Sequence, residues 1–152
     1  MNEKEIFFKE TYIQTLKKLS GNEKGNWGVL SPQGMIEHMT DSVGVAHGRI
    51  KQELQTPPEV LERVRTFALS DKEFKPDTKN SLMSETPAAL RNSTISEAIS
   101  ELENELTVFL DFYKTNPRAT HLNPFFGEFN YADWLHILHK HASHHLKQFN
   151  LA

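Results

Sequence analysis

The fold is decided by the stretch Thr94-Ile95-Ser96-Glu97-Ala98-Ile99-Ser100-Glu101-Leu102-Glu103-Asn104-Glu105-Leu106-Thr107-Val108-Phe109-Leu110-Asp111-Phe112-Tyr113. Its first four residues have the Ser/Thr-x-x-Glu form of a capping box, in which two side chains satisfy two free N–H groups at a helix start. Ile95, Ala98, Ile99, Leu102, Leu106, Phe109, Leu110 and Tyr113 then recur at three- and four-residue steps, the spacing of a helix that buries one face. Asn116-Pro117 closes it, because the residue before proline is driven out of the helical region.

The same reading extends in both directions. Ile6, Phe8, Tyr12, Ile13, Leu16 and Leu19 predict a first amphipathic helix, ended by Gly21-Asn22 and Gly25-Asn26. Ser31-Pro32 reads as an N-cap followed by proline at the first helical position. Met35, Ile36, Met39, Val43, Ala46, Ile50 and Leu54 carry that second helix to Thr56-Pro57-Pro58. The connection from Gln55 to Asn92 is far longer than the ~2–8 residues that join bundle helices. It holds one short helical piece, Glu59 to Leu69, and then Lys75-Pro76-Asp77 and Glu85-Thr86-Pro87 without periodicity. Beyond Pro117, a loop with His121 and Pro124-Phe125-Phe126-Gly127 leads to Asn130, which caps a last helix from Tyr131 to about Asn150. No internal repeat, no strand pair bounded by hairpin turns and no linker is visible. The expectation is an all-α chain, one domain over 1–152: a four-helix bundle with a long crossover between the second and third main helices.

A chain of 152 residues has the size of one ordinary domain. With 38% hydrophobic and 24% charged residues and only 7 Gly and 7 Pro, disordered and collagen-like readings are excluded. Seventeen basic residues against twenty acidic ones leave no excess to neutralise phosphates, which argues against a nucleic-acid partner. No apolar run approaches the ~20 residues of a membrane span, and Met1-Asn2-Glu3-Lys4-Glu5 has no apolar signal-peptide character. The expected setting is cytoplasmic, without a membrane partner. Cysteine is absent, so any thiol in a reaction would come from outside the chain.

Five of the 8 histidines fall between His136 and His145. At ~100° per residue they cannot share one direction. The stripe of the last helix is Tyr131, Trp134, Leu138, Ala142 and Phe149. His141 and His145 border it and face inward, whereas His136, His139 and His144 point outward to solvent. An inward pair at i, i+4 offers two imidazoles to one ion; two buried polar residues bonded to neighbouring helices would show the same spacing. A third ligand must come from another helix, and the wheel of the second helix leaves both His38 and His47 open.

Two stretches carry a family resemblance. Trp27-Gly28-Val29-Leu30-Ser31-Pro32-Gln33-Gly34-Met35-Ile36-Glu37-His38-Met39 resembles the start of the second helix in the DinB-like superfamily. Phe125-Phe126-Gly127-Glu128-Phe129, with Asp133-Trp134 and His141-Ala142-Ser143-His144-His145-Leu146-Lys147-Gln148-Phe149, resembles its final motif. The likeness is greatest to a subfamily of unknown function with a Phe-Gly loop before the last helix. It implies a four-helix bundle in which one histidine of the second helix and two of the last bind a divalent metal: His38, His141 and His145. Two features depart from the family pattern, namely His121-Leu122-Asn123-Pro124 in place of His-Pro, and Leu146-Lys147 in place of Arg-Gly. Homodimerisation is a further implication.

Three neutral histidines leave coordination positions open, as in catalytic sites. Zinc, nickel and iron all accept such ligands. Characterised relatives include transferases that use low-molecular-weight thiols (mycothiol or bacillithiol), so the resemblance implies activation of a thiol, or of water in a hydrolase, against a small electrophilic substrate. Gln148 and Glu37 are candidate hydrogen-bond partners behind the ligands. The competing reading is a non-enzymatic metal-binding or dimerising bundle. Phe125 and Phe126 are read as stapling their loop to the core rather than lining a pocket.

Overall fold

A computed structural model describes residues 2–74 and 89–152. Lys75-Pro76-Asp77 and Glu85-Thr86-Pro87 lie outside the described residues. Helix α1 covers 3–16, α2 Pro32–Ala46, α3 Pro58–Leu69, α4 Ile95–Thr115 and α5 Tyr131–Gln148, with two three-residue strands, β1 (His121–Asn123) and β2 (Gly127–Phe129), before α5. The chain is thus mostly helical. Helix α2 packs most extensively on α4 and also touches α5; α1 lies against α5 and α4, and α3 against α5. Tyr12, Leu16, Met35, Ile36, Met39, Leu102, Phe109 and Leu138 form the buried centre. Among the described residues, no helix is long and apolar enough to cross a membrane.

The caps explain most of the boundaries. Ser31 Oγ accepts from the Gly34 N–H at 3.0 Å, and Thr94 Oγ1 from Glu97 at 3.1 Å. The Glu97 carboxylate, expected to return to Thr94, accepts from the Ser93 N–H instead, at 3.3 Å. Asn130 and Asp133 form a full reciprocal box at the start of α5. In α1 the helix is not uniform: Phe7–Thr11 is a π turn between α-helical Glu3–Ile6 and Tyr12–Leu16. The extra residue in that turn offsets the apolar pattern.

Two sequence expectations are corrected. The strands β1 and β2 do form an antiparallel hairpin, with His121 opposite Phe129 and Asn123 opposite Gly127. Its three-residue loop is held by Asn123 Oδ1, which accepts from the N–H groups of Phe125 and Phe126 at 2.9 and 3.1 Å. Gly127 takes φ +89°, the left-handed position such loops favour. Helix α2 stops at Ala46, well before Thr56. Gly48 adopts φ +88° and its N–H bonds the Val45 carbonyl at 3.2 Å, a glycine C-terminal stop. The stop is fixed from α4: the Tyr113 hydroxyl donates to the Ala46 carbonyl at 2.6 Å. Glu105 receives His47 at 2.5 Å and Arg49 at 2.8 Å. His47 is therefore committed to α4.

A Cβ at position 48 would fall against the His121 ring, in a backbone conformation that L side chains rarely adopt. Gly48→Ala should lower unfolding free energy by about 1–3 kcal/mol, read as a drop in the urea midpoint. An unchanged midpoint would show that the stop is not strained.

Candidate metal centre

Helix α2 contributes His38 and α5 contributes His141 and His145, one turn apart on the face toward α2. One ring nitrogen from each lies within 4.8 Å of the others. The ring centroids are 5.0 Å apart for His38–His141, 5.8 Å for His38–His145 and 4.7 Å for His141–His145. His145 is fully buried and His141 nearly so. The Nε2 atoms of all three are buried with no hydrogen-bond partner among the described residues. Buried polar atoms are ordinarily paired, and three imidazoles brought this close, each with a buried Nε2 that has no partner among the described residues, fit the donor set of a divalent transition metal.

One chain of hydrogen bonds orients the site. The Gln148 carboxamide donates through Nε2 to the Trp27 carbonyl at 2.8 Å, so its Oε1 is the atom that faces His145 Nδ1 at 2.7 Å. Nδ1 must then carry the proton, and the Nε2 lone pair is turned to the centre, the usual arrangement behind a ligand histidine. Gln148 is itself fully buried. Glu37 does otherwise: its carboxylate accepts from Gln33, from the Arg91 and Asn92 N–H groups at 2.9 and 3.1 Å, and from the Asn92 side chain. It fastens the end of the crossover to α2 rather than reaching the histidines. Burial acts to raise its pKa, but these donors hold the carboxyl below its ordinary value.

Burial keeps the histidines neutral. It pushes His38 down against the opposing pull of Asp41. It drives His141 far below the usual imidazole range, helped by repulsion from its histidine neighbours. His145 is lowered to about 3, burial outweighing its bond to Gln148.

The three outward histidines are not a solvated face, which corrects the wheel reading. His144 is buried; its Nε2 accepts from Trp27 Nε1–H at 3.3 Å, and the indole lies 5.0 Å from its ring. His136 Nε2 bonds the Ser70 carbonyl at 2.8 Å. His139 is half-buried against Phe7, centroids 4.8 Å apart. Lys140 joins His136 in capping α3, donating to the carbonyls of Phe67, Ala68 and Ser70. His121 stays in β1, its ring 5.3 Å from Phe112, outside the histidine cluster.

Residues 25–27 are the part that sequence reasoning missed. The Asn26 N–H donates to the Gln148 carbonyl at 2.7 Å and Asn26 Nδ2 to the Lys147 carbonyl at 3.0 Å. This loop thereby closes the end of α5. Gly25 permits the approach, since a Cβ there would meet the Trp27 carbonyl at 2.9 Å and Gln148 Cγ at 3.1 Å. The adjacent glycine and asparagine before a tryptophan were the available signal.

A pocket of about 240 Å³ opens beside His38 and His141 and is lined by Phe125, Phe126 and Trp134 among others. The two phenylalanines thus both bind the hairpin to the core and line a cavity, so the purely stapling reading is corrected.

Against known proteins, the sequence profile described as the DinB superfamily matches residues 13–149. No curated protein and no solved structure matches the chain.

Gln148→Leu should weaken zinc affinity by about 10–100-fold, measured by competition with a chelator, with the fold retained by circular dichroism. For chelator-treated protein, the unfolded chain takes up protons at His141 and His145 below the ordinary pKa of 6.5, while the folded chain resists them down to about 3 at His145. Stability from these neutral rings is complete above 6.5 and is lost as pH falls through that window. The urea midpoint should drop between about pH 7 and about pH 5, less steeply in His145→Leu; equal slopes would refute the assignment.

Proposed function

The chain belongs to the DinB superfamily, and on that premise we propose a metal-dependent enzyme that activates a small thiol or water against an electrophilic substrate. In this reading His38, His141 and His145 hold a divalent ion within the four-helix bundle of that family. The observation that carries it is the cluster of three histidines from two helices, one ring nitrogen of each within 4.8 Å of the others and each Nε2 buried without a partner among the described residues.

A closed structural site has four protein ligands, whereas three leave room for a reactant. Access supports this: His38 and His141 border the 240 Å³ pocket, and His145 stands behind them, braced by Gln148. Zinc, nickel and iron all suit three imidazoles. When bound, such an ion supplies Lewis acidity and lowers the pKa of a coordinated water or thiol. The protein contributes orientation and exclusion of water. Trp27 and Gln148 fix the His145 tautomer, and the hairpin rings shield the pocket. Because the chain has no cysteine, a thiol reactant is a cosubstrate, such as a low-molecular-weight thiol.

Untagged protein purified without chelator should carry close to one transition-metal ion per chain by elemental analysis. His38→Ala and His141→Ala should reduce this to background while circular dichroism retains the helical signal. Zinc-loaded wild-type protein should then consume thiol in the presence of electrophiles, and the variants should not. Failure of wild-type protein to take up zinc, nickel or iron on titration overturns the proposal. Unfolding on chelator treatment would point instead to a structural ion.

A further inference from the structure

Two cavities flank Phe74, and they differ in chemistry. One, of about 270 Å³, runs along the outer side of α5 and is lined by Lys4, Asp71, Glu73, Lys140 and Lys147 with three histidines. The other is the pocket that reaches His38 and His141. Among the described residues, no lysine, arginine, aspartate or glutamate lines it. Its walls are largely Val45, Phe125, Phe126, Trp134, Ile137 and Leu138.

The polar groups near this pocket are mostly engaged. The hairpin-loop carbonyls are taken up in hydrogen bonds: Pro124 accepts from the Gln55 N–H and Phe125 from Thr56 Oγ1, each at 2.7 Å. Phe126 accepts from Arg65 at 3.0 Å. Ser42 Oγ donates to the His38 carbonyl, and Asn123 Oδ1 is taken by the loop N–H groups. The side chains of Gln52 and Gln55 remain as neutral polar contacts at the lining.

We propose that the molecule admitted to the histidine centre is uncharged apart from its reacting atom and carries a single-ring apolar body, with Gln52 and Gln55 meeting a neutral polar substituent. This rests on the proposed function and narrows its substrate class. A carboxylate or phosphate on the body of the molecule, away from the reacting atom at the ion, loses hydration there and finds no cationic side chain in the described lining. An apolar cavity of about 150 Å³ already accepts benzene, so about 240 Å³ accommodates one ring with a short arm. A strongly anionic thiol or a dicarboxylate is disfavoured here.

The test uses the full-length chain with two matched pairs of probes. In cobalt-loaded protein, 2-phenylethanethiol and 3-mercaptopropionate are titrated by the visible cobalt spectrum. In chelator-treated Trp27→Phe protein, Trp134 is the remaining tryptophan, and its fluorescence follows benzyl alcohol against benzoate. The neutral aromatic member of each pair should bind at least tenfold more tightly, and Phe125→Lys should reduce or reverse that preference. Equal or tighter binding of the anionic member in both pairs overturns the inference. If cobalt does not bind, uptake of zinc, nickel or iron decides the metal reading separately, and the fluorescence pair alone then decides the pocket's preference, tenfold selectivity upholding it and parity overturning it.

Discussion

Between α2 and α5 three imidazole nitrogens are buried without a hydrogen-bond partner among the described residues, and the rest of the structure has to bear that cost. A buried polar atom left unpaired costs about 1–3 kcal/mol, so such a cluster survives only where other contacts fix both helices. The fixing is visible at both ends of α2. At its start Glu37, next to His38, gathers the crossover through Arg91 and Asn92. At its end Tyr113 and Glu105 of α4 seize Ala46, His47 and Arg49. The helix that presents His38 is thereby held against α4 and cannot easily turn its histidine away from α5.

Helix α5 is restrained by different means. Its last turn is closed by Asn26, and the Trp27 carbonyl sets the Gln148 carboxamide, which sets His145. The same tryptophan donates from its indole to His144. Two consecutive histidines on adjacent helix positions are thus oriented by one residue from a loop, through opposite ends of that residue. A rotation of α5 that relieved one contact would break the other. Rigidity of this kind is what a three-ligand centre requires, because ligand geometry must exist before an ion arrives for affinity to be high.

Much of this was legible in the sequence, for identifiable reasons. The helices announce themselves through apolar periodicity and through caps at Ser31, Thr94 and Asn130, which are local signals. Helix α3, Pro58–Leu69, was legible as the short helical piece read from Glu59 to Leu69. The inward direction of His141 and His145 followed from the helix wheel. The wheel stopped short at His38 and His47, because both lie at the margin of the apolar face; the choice depends on Glu105, 58 residues away from His47. The hairpin was illegible because three-residue strands are too short to show alternation. The outward histidines were misjudged because α3 and Trp27 cover that side, and the wheel carries no information about what covers a face. The stop at Ala46 had a local sign in Gly48, overridden by apolar residues at Ile50 and Leu54 that continue the helical spacing.

The position of α5 between two unlike cavities gives the histidine-rich segment a second meaning. His136 and Lys140 face outward and are used up as caps on the carbonyl end of α3, where a positive group is favoured by the helix dipole. His144 is used up by Trp27. Among the described residues, His141 and His145 on the inward side keep a buried Nε2 unpartnered, and His141 borders the apolar pocket. What sets His136 and His144 apart from the inward pair is therefore that the surrounding fold supplies their Nε2 with a hydrogen-bond partner, while His139 packs against Phe7. Lys140 and Lys147 stay on the far side of the helix, Lys147 paired with Glu73. A centre of neutral imidazoles beside aromatic walls is a low-dielectric environment, in which charge at the reacting atom is felt more strongly than in water. That contrast across a single helix separates the apolar pocket beside the histidines from the capped and charged surface behind it.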